Sequence, residues 1–400
     1  MKRVFDPIHH FIELSHGETR LLDAPEFQRL RRLRQLGLAY LAYPSAEHSR
    51  FSHALGALAM GSRVFDALTA HSPEYFSGAN DVAYQRQLLR ASLLLHDIGH
   101  GPFSHACEAV LGIKHEARTQ TILERPRLRC ALEDLEIEKA DVEDLILGSR
   151  QSRYPVLVEI VSGPNLDADR MDYLLRDSYF TGVVSGRYDR EQLIGSLRVY
   201  ENSGRFVLGV DGRGVVALES FLLARYMMFA TVYFHHTTRM FERILQTALW
   251  EIWREPHALN DIEAFLGWDD FRVFEAVRLH KSNACRALRD RLPLYALAVE
   301  FNAGSDLVTY ERCERALRER FGEYVWADAQ EQLLHRLPLQ SELQKPTVLV
   351  RTSSGIVDAR QASDLIAKLS GKAYWRKLFV DRNAVSAKEA RRLCREIIAG

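Results

Sequence analysis

This chain of 400 residues has no long apolar run, no surplus of either charge and few cysteines. Nowhere do about 18 consecutive apolar residues occur, so no membrane-spanning helix is expected. The opening segment MKRVFDPIHHF has no apolar stretch behind its basic residues, which argues against a signal peptide. Lys and Arg together number 53, as do Asp and Glu, so net charge does not support recruitment by nucleic acid or an anionic membrane. The five cysteines, 107, 130, 285, 313 and 394, are scattered and contain no CxxC pair. That argues against a disulfide framework and against a thiolate zinc site. Internal repeats and low-complexity tracts are absent as well. The expectation is a soluble cytoplasmic protein with no membrane partner, large enough for one big core or two smaller ones.

What is present is helical periodicity. Pro25 opens a helix through FQRLRRLRQL that Gly37 would end, with Arg29, Arg31, Arg32 and Arg34 read as a solvated face. Further helices are expected over 51–71, 84–97, 104–111, 115–124, 134–147, 155–162 and 168–179. Glycines 99 and 101 interrupt the 84–97 helix and put His100 on a tight turn. Residues 205–217 alternate around Asp211-Gly212 and read as a small hairpin, followed by one long helix over 218–254. Beyond Pro256 the expected helices fall near 261–266, 269–279, 283–290, 311–320, 328–334, 361–369 and 386–398, with strands over 347–351 and 374–380. The fold class is therefore mainly α, a helical bundle with a small β-hairpin and a C-terminal α+β lobe. The expected domains are 1–255 and 256–400.

Four residues stand out for chemistry: His53, the adjacent pair His96-Asp97, and Asp169. Two imidazoles and two carboxylates make a nitrogen–oxygen set suited to a divalent cation with positions left for water or phosphate. The apolar run Leu93-Leu94-Leu95 leads directly into His96-Asp97. Burying a carboxylate beside an imidazole is costly without a cation or a hydrogen-bonded partner. Asp169, Tyr173 and Asp177 follow at i, i+4, i+8 and share one helix face.

Seven phrases in order carry a resemblance: DPIHHFIEL, LLDAPEFQRLRRLRQLG, HSRFSHALG, HDIGHGPFSH, KHE, DADRMDYLLRD and VYFHHTTR, together spanning about residues 6–239. They resemble the HD-domain phosphohydrolases, in particular the deoxynucleoside triphosphate triphosphohydrolases related to the mammalian sterile-alpha-motif/HD-domain enzyme. The phrases begin at Asp6, so no sterile-alpha-motif domain is expected ahead of them. The resemblance implies an HD-domain bundle and a metal held by His53, His96, Asp97 and Asp169. Iron, manganese, zinc, nickel and magnesium all suit that donor set, and magnesium could also accompany the nucleotide phosphates.

The resemblance also distributes further roles. His115 would be the catalytic histidine, oriented and charged by Glu108, where the mammalian enzyme has an aspartate. His100 and His105 would lie beside the phosphates, a protonated ring offsetting negative charge. Arg50 and Arg170 would contact the phosphates, Gln35 and Leu36 the sugar near its 2′ carbon, and Tyr173 and Asp177 the sugar or base. Arg225, Tyr233 and His235 would complete the pocket. Asp23, Gln28 and Arg31 match a guanine-nucleotide activator site in relatives whose activation is coupled to assembly into tetramers, so a nucleotide activator and a homodimer or homotetramer are expected of this chain. Phe5, Gln192 and His236 replace polar or basic residues expected there, and His10 replaces a glycine. The implied activity is hydrolysis of a deoxynucleoside triphosphate to deoxynucleoside and inorganic triphosphate. Two alternatives stay open: an HD phosphohydrolase for another nucleotide ester (a monophosphate or cyclic nucleotide), and a nucleotide-sensing or single-stranded-nucleic-acid-binding module.

Overall fold

The computed structural model describes residues 1–76, 82–202, 204–301, 307–333, 348–369 and 372–399. Its architecture is mainly α, with three small sheets among the described residues. At its centre lies helix Arg50–His71, whose Ser49 side chain accepts the Ser52 amide and caps the first turn. This helix is buried nearly all round, so its amphipathic pattern is weak; neighbouring helices cover every side. Helices Val82–Leu95 and Ala168–Thr181 pack on it. Helix Ala168–Thr181 starts where the Asp167 carboxylate accepts the Arg170 amide and stops at Gly182, whose φ is 78°. One apolar core runs from Ile12 through Phe241 and Phe265 to Phe379, and a smaller one gathers Phe301, Tyr310, Leu317 and Val380.

The sheets are local. Lys2–Asp6 pairs antiparallel with His10–Leu14, a hairpin that periodicity did not suggest. Strands Leu197–Asn202 and Arg205–Asp211 form a second hairpin, extended by Leu349–Thr352 and Gly355–Asp358. In the third sheet, Lys372–Asp381 lies between Tyr295–Phe301 and Val325–Leu333, antiparallel to both.

Several expectations need correction. The helix opened by Pro25 ends at Gln28 and continues only as a 3₁₀ turn, Arg29–Arg32. Beyond it the backbone bonds elsewhere: Gln35 donates to His48 O at 2.9 Å and Arg50 to Leu33 O at 2.9 Å. Arg29 is no solvated residue. It is buried, donates to His100 O at 2.8 Å and Trp268 O at 3.0 Å, and stacks on Phe265. The helix expected over 134–147 starts only at Lys139, and an unexpected helix, Pro126–Asp134, precedes it, with Glu136 left-handed between them. The hairpin turns near Gly204, at φ 73°, and Asp211 instead accepts the Arg213 amide and leads into helix Val215–Met228.

The long helix over 218–254 is interrupted by a π turn at Phe229–Tyr233 before resuming as His236–Trp253. Where a helix was expected near 328–334, Val325–Leu333 is a strand, because its backbone pairs with the central strand along its whole length; residue 334 lies outside the described residues. The 347–351 strand is Leu349–Thr352, with Thr347 outside the described residues, and the 361–369 helix breaks at Ser363. The stretch Gly212–Tyr233 is, contrary to the reading of run lengths, long and apolar enough to cross a membrane. Its apolar residues Leu218, Phe221, Leu222 and Met228 are buried in the protein core, and it also contains the buried Arg225.

Candidate active site

Helix Val82–Leu95 stops one residue before the His96-Asp97 pair, so both ligand candidates sit on a turn and not on the expected helix. A Cβ at Gly99 would overlap the His115 backbone, so the turn packs tightly on helix His115–Leu123. On its far side Phe103 and Ser104 are left-handed, at φ 53° and 51°. Backbone strain in non-glycine residues is held only where surrounding contacts enforce it. Here Asp270 accepts the Phe103 and Arg34 amides at 2.9 and 2.8 Å, and Ser104 Oγ accepts from Arg50 at 2.7 and 3.0 Å.

The predicted ligands converge. His53 Nε2 lies 2.9 Å from Asp169 Oδ1 and 3.3 Å from His96 Nε2, and His96 Nε2 is 3.7 Å from Asp169 Oδ1. Such separations suit donors around one cation with bonds of about 2.1 Å, whose neighbouring ligands stand roughly 3 Å apart. His53, His96 and Asp169 form the compact group, with Asp97 at its edge, 3.5 Å from His96 Nε2 and 4.0 Å from His53 Nε2. Asp97 also pairs with Arg50 and stands 3.3 Å from His100 Nε2.

Ring orientation supports the fit. His96 Nδ1 donates to Leu93 O at 2.7 Å, and His53 Nδ1 donates to Asp172 Oδ2 at 2.8 Å. Both rings therefore turn Nε2 toward the shared centre, where a cation would take the place of a proton. Burial opposes charge on His53, but hydrogen bonds to Asp169 and Asp172 outweigh it and raise the ring to about 10. Asp169 is held well below the usual carboxylate range: burial works against this, and His53 and His96 overcome it. A cluster so eager for positive charge fits a cation.

Beside it, His115 Nδ1 donates to Glu108 Oε1 at 2.9 Å and its ring stacks on His100 at 3.8 Å. Burial, then Arg50, push His100 down to about 4, so this ring is neutral near pH 7. Arg50 stands beside it as a fixed positive charge. His105 opens helix His105–Leu111, and its side chain lies outside what the structure describes.

Two cavities meet here. One, of about 350 Å³, is walled by His96, Asp97, His100, His115, Asp169 and Arg170. The other, of about 430 Å³, is walled by Leu36, Phe103, Asp177, Phe229, Tyr233 and Phe234, among others. Gln35, Arg50 and Tyr173 line both. The helix face Asp169–Tyr173–Asp177 thus runs from the ionic cavity to the aromatic one. Arg170 donates to Gly163 O at 2.6 Å and pairs with Asp167.

Not every expected residue joins the walls. Arg225 is buried and lies over Phe229, and His235 caps helix His236–Trp253 by accepting the Thr237 amide at 3.2 Å. Neither lines the two cavities. Asp23, Gln28 and Arg31 form a separate group: Arg31 donates to Gln28 Oε1 at 2.8 Å and Asp23 faces Lys2 at 3.4 Å.

Sequence reasoning missed four functional neighbours. Asp172 is fully buried against His53, with Arg176 one turn on as the only local hint. His48 Nε2 and Tyr233 Oη donate to the two oxygens of Asp177, each at 2.8 Å. His9 Nε2 donates to Asp172 Oδ1 at 2.7 Å, and Ser104 holds Arg50. These partners come from distant segments, and no spacing announces them.

Comparison with known proteins gives the geometry a context. Residues 188–380 match the family model described as HD associated region. The chain is 34% identical over 302 residues to the uncharacterised protein MJ1154 of Methanocaldococcus jannaschii, covering 76% of this chain and 60% of that one. It is 30% identical over 412 residues to the uncharacterised protein YwfO of Bacillus subtilis, covering 93% and 90%. Zebrafish deoxynucleoside triphosphate triphosphohydrolase SAMHD1 is 29% identical over 325 residues, covering 69% of this chain and 51% of that protein. Among solved structures, a hypothetical protein from Aquifex aeolicus superimposes with a TM-score of 0.82 at 30% identity, covering 98% of this chain and 99% of that one. With near full-length likeness to YwfO, an HD-associated region and His96-Asp97 facing His53 and Asp169, the chain belongs to the HD superfamily.

Proposed function

We propose that the protein is a metal-dependent phosphohydrolase that cleaves deoxynucleoside triphosphates into deoxynucleoside and inorganic triphosphate. One observation carries this reading: an ionic cavity and an aromatic cavity meet across Gln35, Arg50 and Tyr173. A nucleotide has the same division, a polyanion joined to a flat nucleoside. Their volumes fall in the range of small-molecule sites. The zebrafish relative, a deoxynucleoside triphosphate triphosphohydrolase, supports the same choice.

The bound metal, held by His53, His96, Asp169 and Asp97, would polarise a phosphoryl oxygen and acidify a water. Arg50, buried and anchored on Ser104 and Asp97, would meet the phosphate chain at the cavity junction. Arg170 would add a second positive charge from the rim. His115, with Nδ1 fixed on Glu108, presents Nε2 to the cavity and would protonate the departing 5′ oxygen. Water attack on the α-phosphorus then releases triphosphate. The deoxyribose would pack against Gln35 and Leu36, which leaves little room for a 2′ hydroxyl. The base would enter among Tyr173, Tyr233 and Phe229. Asp177, held by His48 and Tyr233, keeps lone pairs for a sugar hydroxyl. The Asp23, Gln28 and Arg31 group is proposed as a nucleotide activator site in a homodimer or homotetramer.

The test is product identification. Purified protein loaded in turn with iron, manganese, zinc, nickel or magnesium is incubated with each of the four deoxynucleotides, with and without GTP. Inorganic triphosphate and deoxynucleoside should appear in equal amounts. Orthophosphate alone, or activity only on monophosphates or cyclic nucleotides, would replace this substrate assignment with another HD phosphohydrolase reaction.

A further inference from the structure

Asp172 is fully buried and spends both oxygens on histidines from distant segments. Its Oδ2 accepts from His53 Nδ1 at 2.8 Å and its Oδ1 from His9 Nε2 at 2.7 Å. Arg176, also fully buried, clamps the same carboxylate at 2.8 and 3.0 Å and reaches Asp6 Oδ2 at 2.7 Å. Asp6 in turn accepts the amides of Ile8 and His9 at 2.9 Å each, shaping the turn of the N-terminal hairpin. A Cβ at Gly56 would overlap both Arg176 and Asp172, so the central helix leaves room for this network.

We propose that Asp172 is a positioning residue for the metal ligand His53, and that the N-terminal hairpin acts through it as a lever on metal affinity. The inference rests on the metal centre of the proposed function. A carboxylate on Nδ1 fixes the tautomer, stops rotation of the ring and makes Nε2 a better donor. His9 and the Asp6–Arg176 pair hold that carboxylate from the hairpin side. A shift of the hairpin therefore reaches His53 through two bonds, without touching the ligand set.

The measurement is Mn²⁺ affinity of the whole protein by competition with a chelator, beside its thermal unfolding. Asp172→Asn keeps the shape and an acceptor oxygen but loses the charge, and should weaken Mn²⁺ about 10- to 100-fold. His9→Ala should weaken it several-fold, and His9→Gln, which restores a donor, should recover part of the loss. Equal Mn²⁺ affinity in Asp172→Asn and the parent, whatever happens to stability, overturns the positioning role. Equal affinity in His9→Ala and the parent overturns the lever. If the parent itself binds no metal, the proposed function fails first, and the two failures are told apart.

A second observation stands apart from this site. Glu251, His280 and Cys285 bring a carboxylate, an imidazole and a thiol within 4.8 Å of one another. They come from helix His236–Trp253, from the residue after helix Asp270–Leu279, and from helix Asn283–Arg289. Glu251 Oε2 is buried and has no hydrogen-bond partner among the described residues, and Cys285 is fully buried. A native orphan of this kind calls for an ion or a missing partner. Cysteine spacing argued against a thiolate site, and indeed a single thiol is present; the fold supplies the other donors.

We infer that these three side chains form a site for a thiophilic divalent cation such as zinc, set where three helical segments meet. A mixed sulfur, nitrogen and oxygen set with water as fourth ligand suits zinc. His280 Nδ1 accepts the Ser282 amide at 3.3 Å, a long bond that the ring gives up or rearranges on binding. Cobalt(II) added to protein carrying His96→Ala and Asp97→Ala should develop the near-ultraviolet absorption of a thiolate–cobalt bond. Cys285→Ser and the fold-sparing His280→Ala should each remove it. No thiolate band in the parent, or a band that survives Cys285→Ser, overturns the site.

Discussion

The two cavities that meet at Arg50 and Tyr173 are built on opposite principles. In the ionic one charged side chains are held by hydrogen-bonding partners: Arg50 by Ser104 and Asp97, His115 by Glu108, and the ligand candidate His53 beside them by Asp172. In the aromatic one rings meet edge to face, Tyr173 on Tyr233 at 6.0 Å and Phe229 on Tyr233 at 5.0 Å, with the Arg239–Glu242 pair also on its wall. Charges in a dry interior are costly when unpaired, so their geometry is fixed by bonds. Rings tolerate small shifts, so that wall is fixed by shape. The first cavity is organised to place charge and protons, and the second to accept a flat ligand.

Breaking the ionic side should do the most damage. His96→Ala with Asp97→Ala removes donors and is expected to abolish metal retention and cut turnover at least about a thousandfold, read by metal analysis and triphosphate release. His115→Gln should lower kcat by about 10²- to 10⁴-fold while the bound metal stays, separating proton transfer from coordination. Glu108→Gln should fall short of that, since His115 keeps an acceptor for Nδ1.

Asp270, which holds the Phe103 and Arg34 amides, offers a stability test. Burial raises Asp270 to about 6 despite the amides of Arg34 and Phe103 and the nearby arginines, so its folded pKa lies above the unfolded value of 3.8. Protonation then favours the folded state. The stabilising contribution is complete below pH 3.8 and is lost as pH rises through about 6. Relative to Asp270→Asn, the parent should lose on the order of 2 kcal/mol across that window, measured by denaturant unfolding at each pH. A pH-independent difference would show that Asp270 stays ionised throughout.

The aromatic side should respond most mildly. Tyr233→Phe loses the hydrogen bond to Asp177, costing about 1 kcal/mol, so KM should rise several-fold with metal content unchanged. A collapse of kcat in that variant would mean that the two cavities are not separable.

Much of the helical frame was readable. Helices over 155–162 and 269–279 follow apolar spacing, because burying one face dictates that spacing, while the central one near 51–71 follows its density of apolar residues. The run after Pro25 misled for a reason of the same kind. Its periodicity is helical, but Arg29 has long-range partners in His100 O and Trp268 O, and the segment beyond bonds across to residues 48–50. Val325–Leu333 misled because a strand takes its stability from its neighbours, which a local reading cannot see.

The amino-acid order by itself determined the chemical inventory: two histidines and two aspartates in distinctive phrases, and one helix face bearing Asp169, Tyr173 and Asp177. Residue types and helical spacing are local properties, so they survive without a fold. Only the tertiary structure decided that Asp97 stands at the edge of the ligand group, that His100 is buried between Asp97 and the His115 ring, and that Asp172 and His9 hold His53. Those outcomes depend on burial and on bonds between residues more than a hundred positions apart, such as His53 and Asp172. Desolvation and hydrogen-bond partners come into being only when the chain is packed.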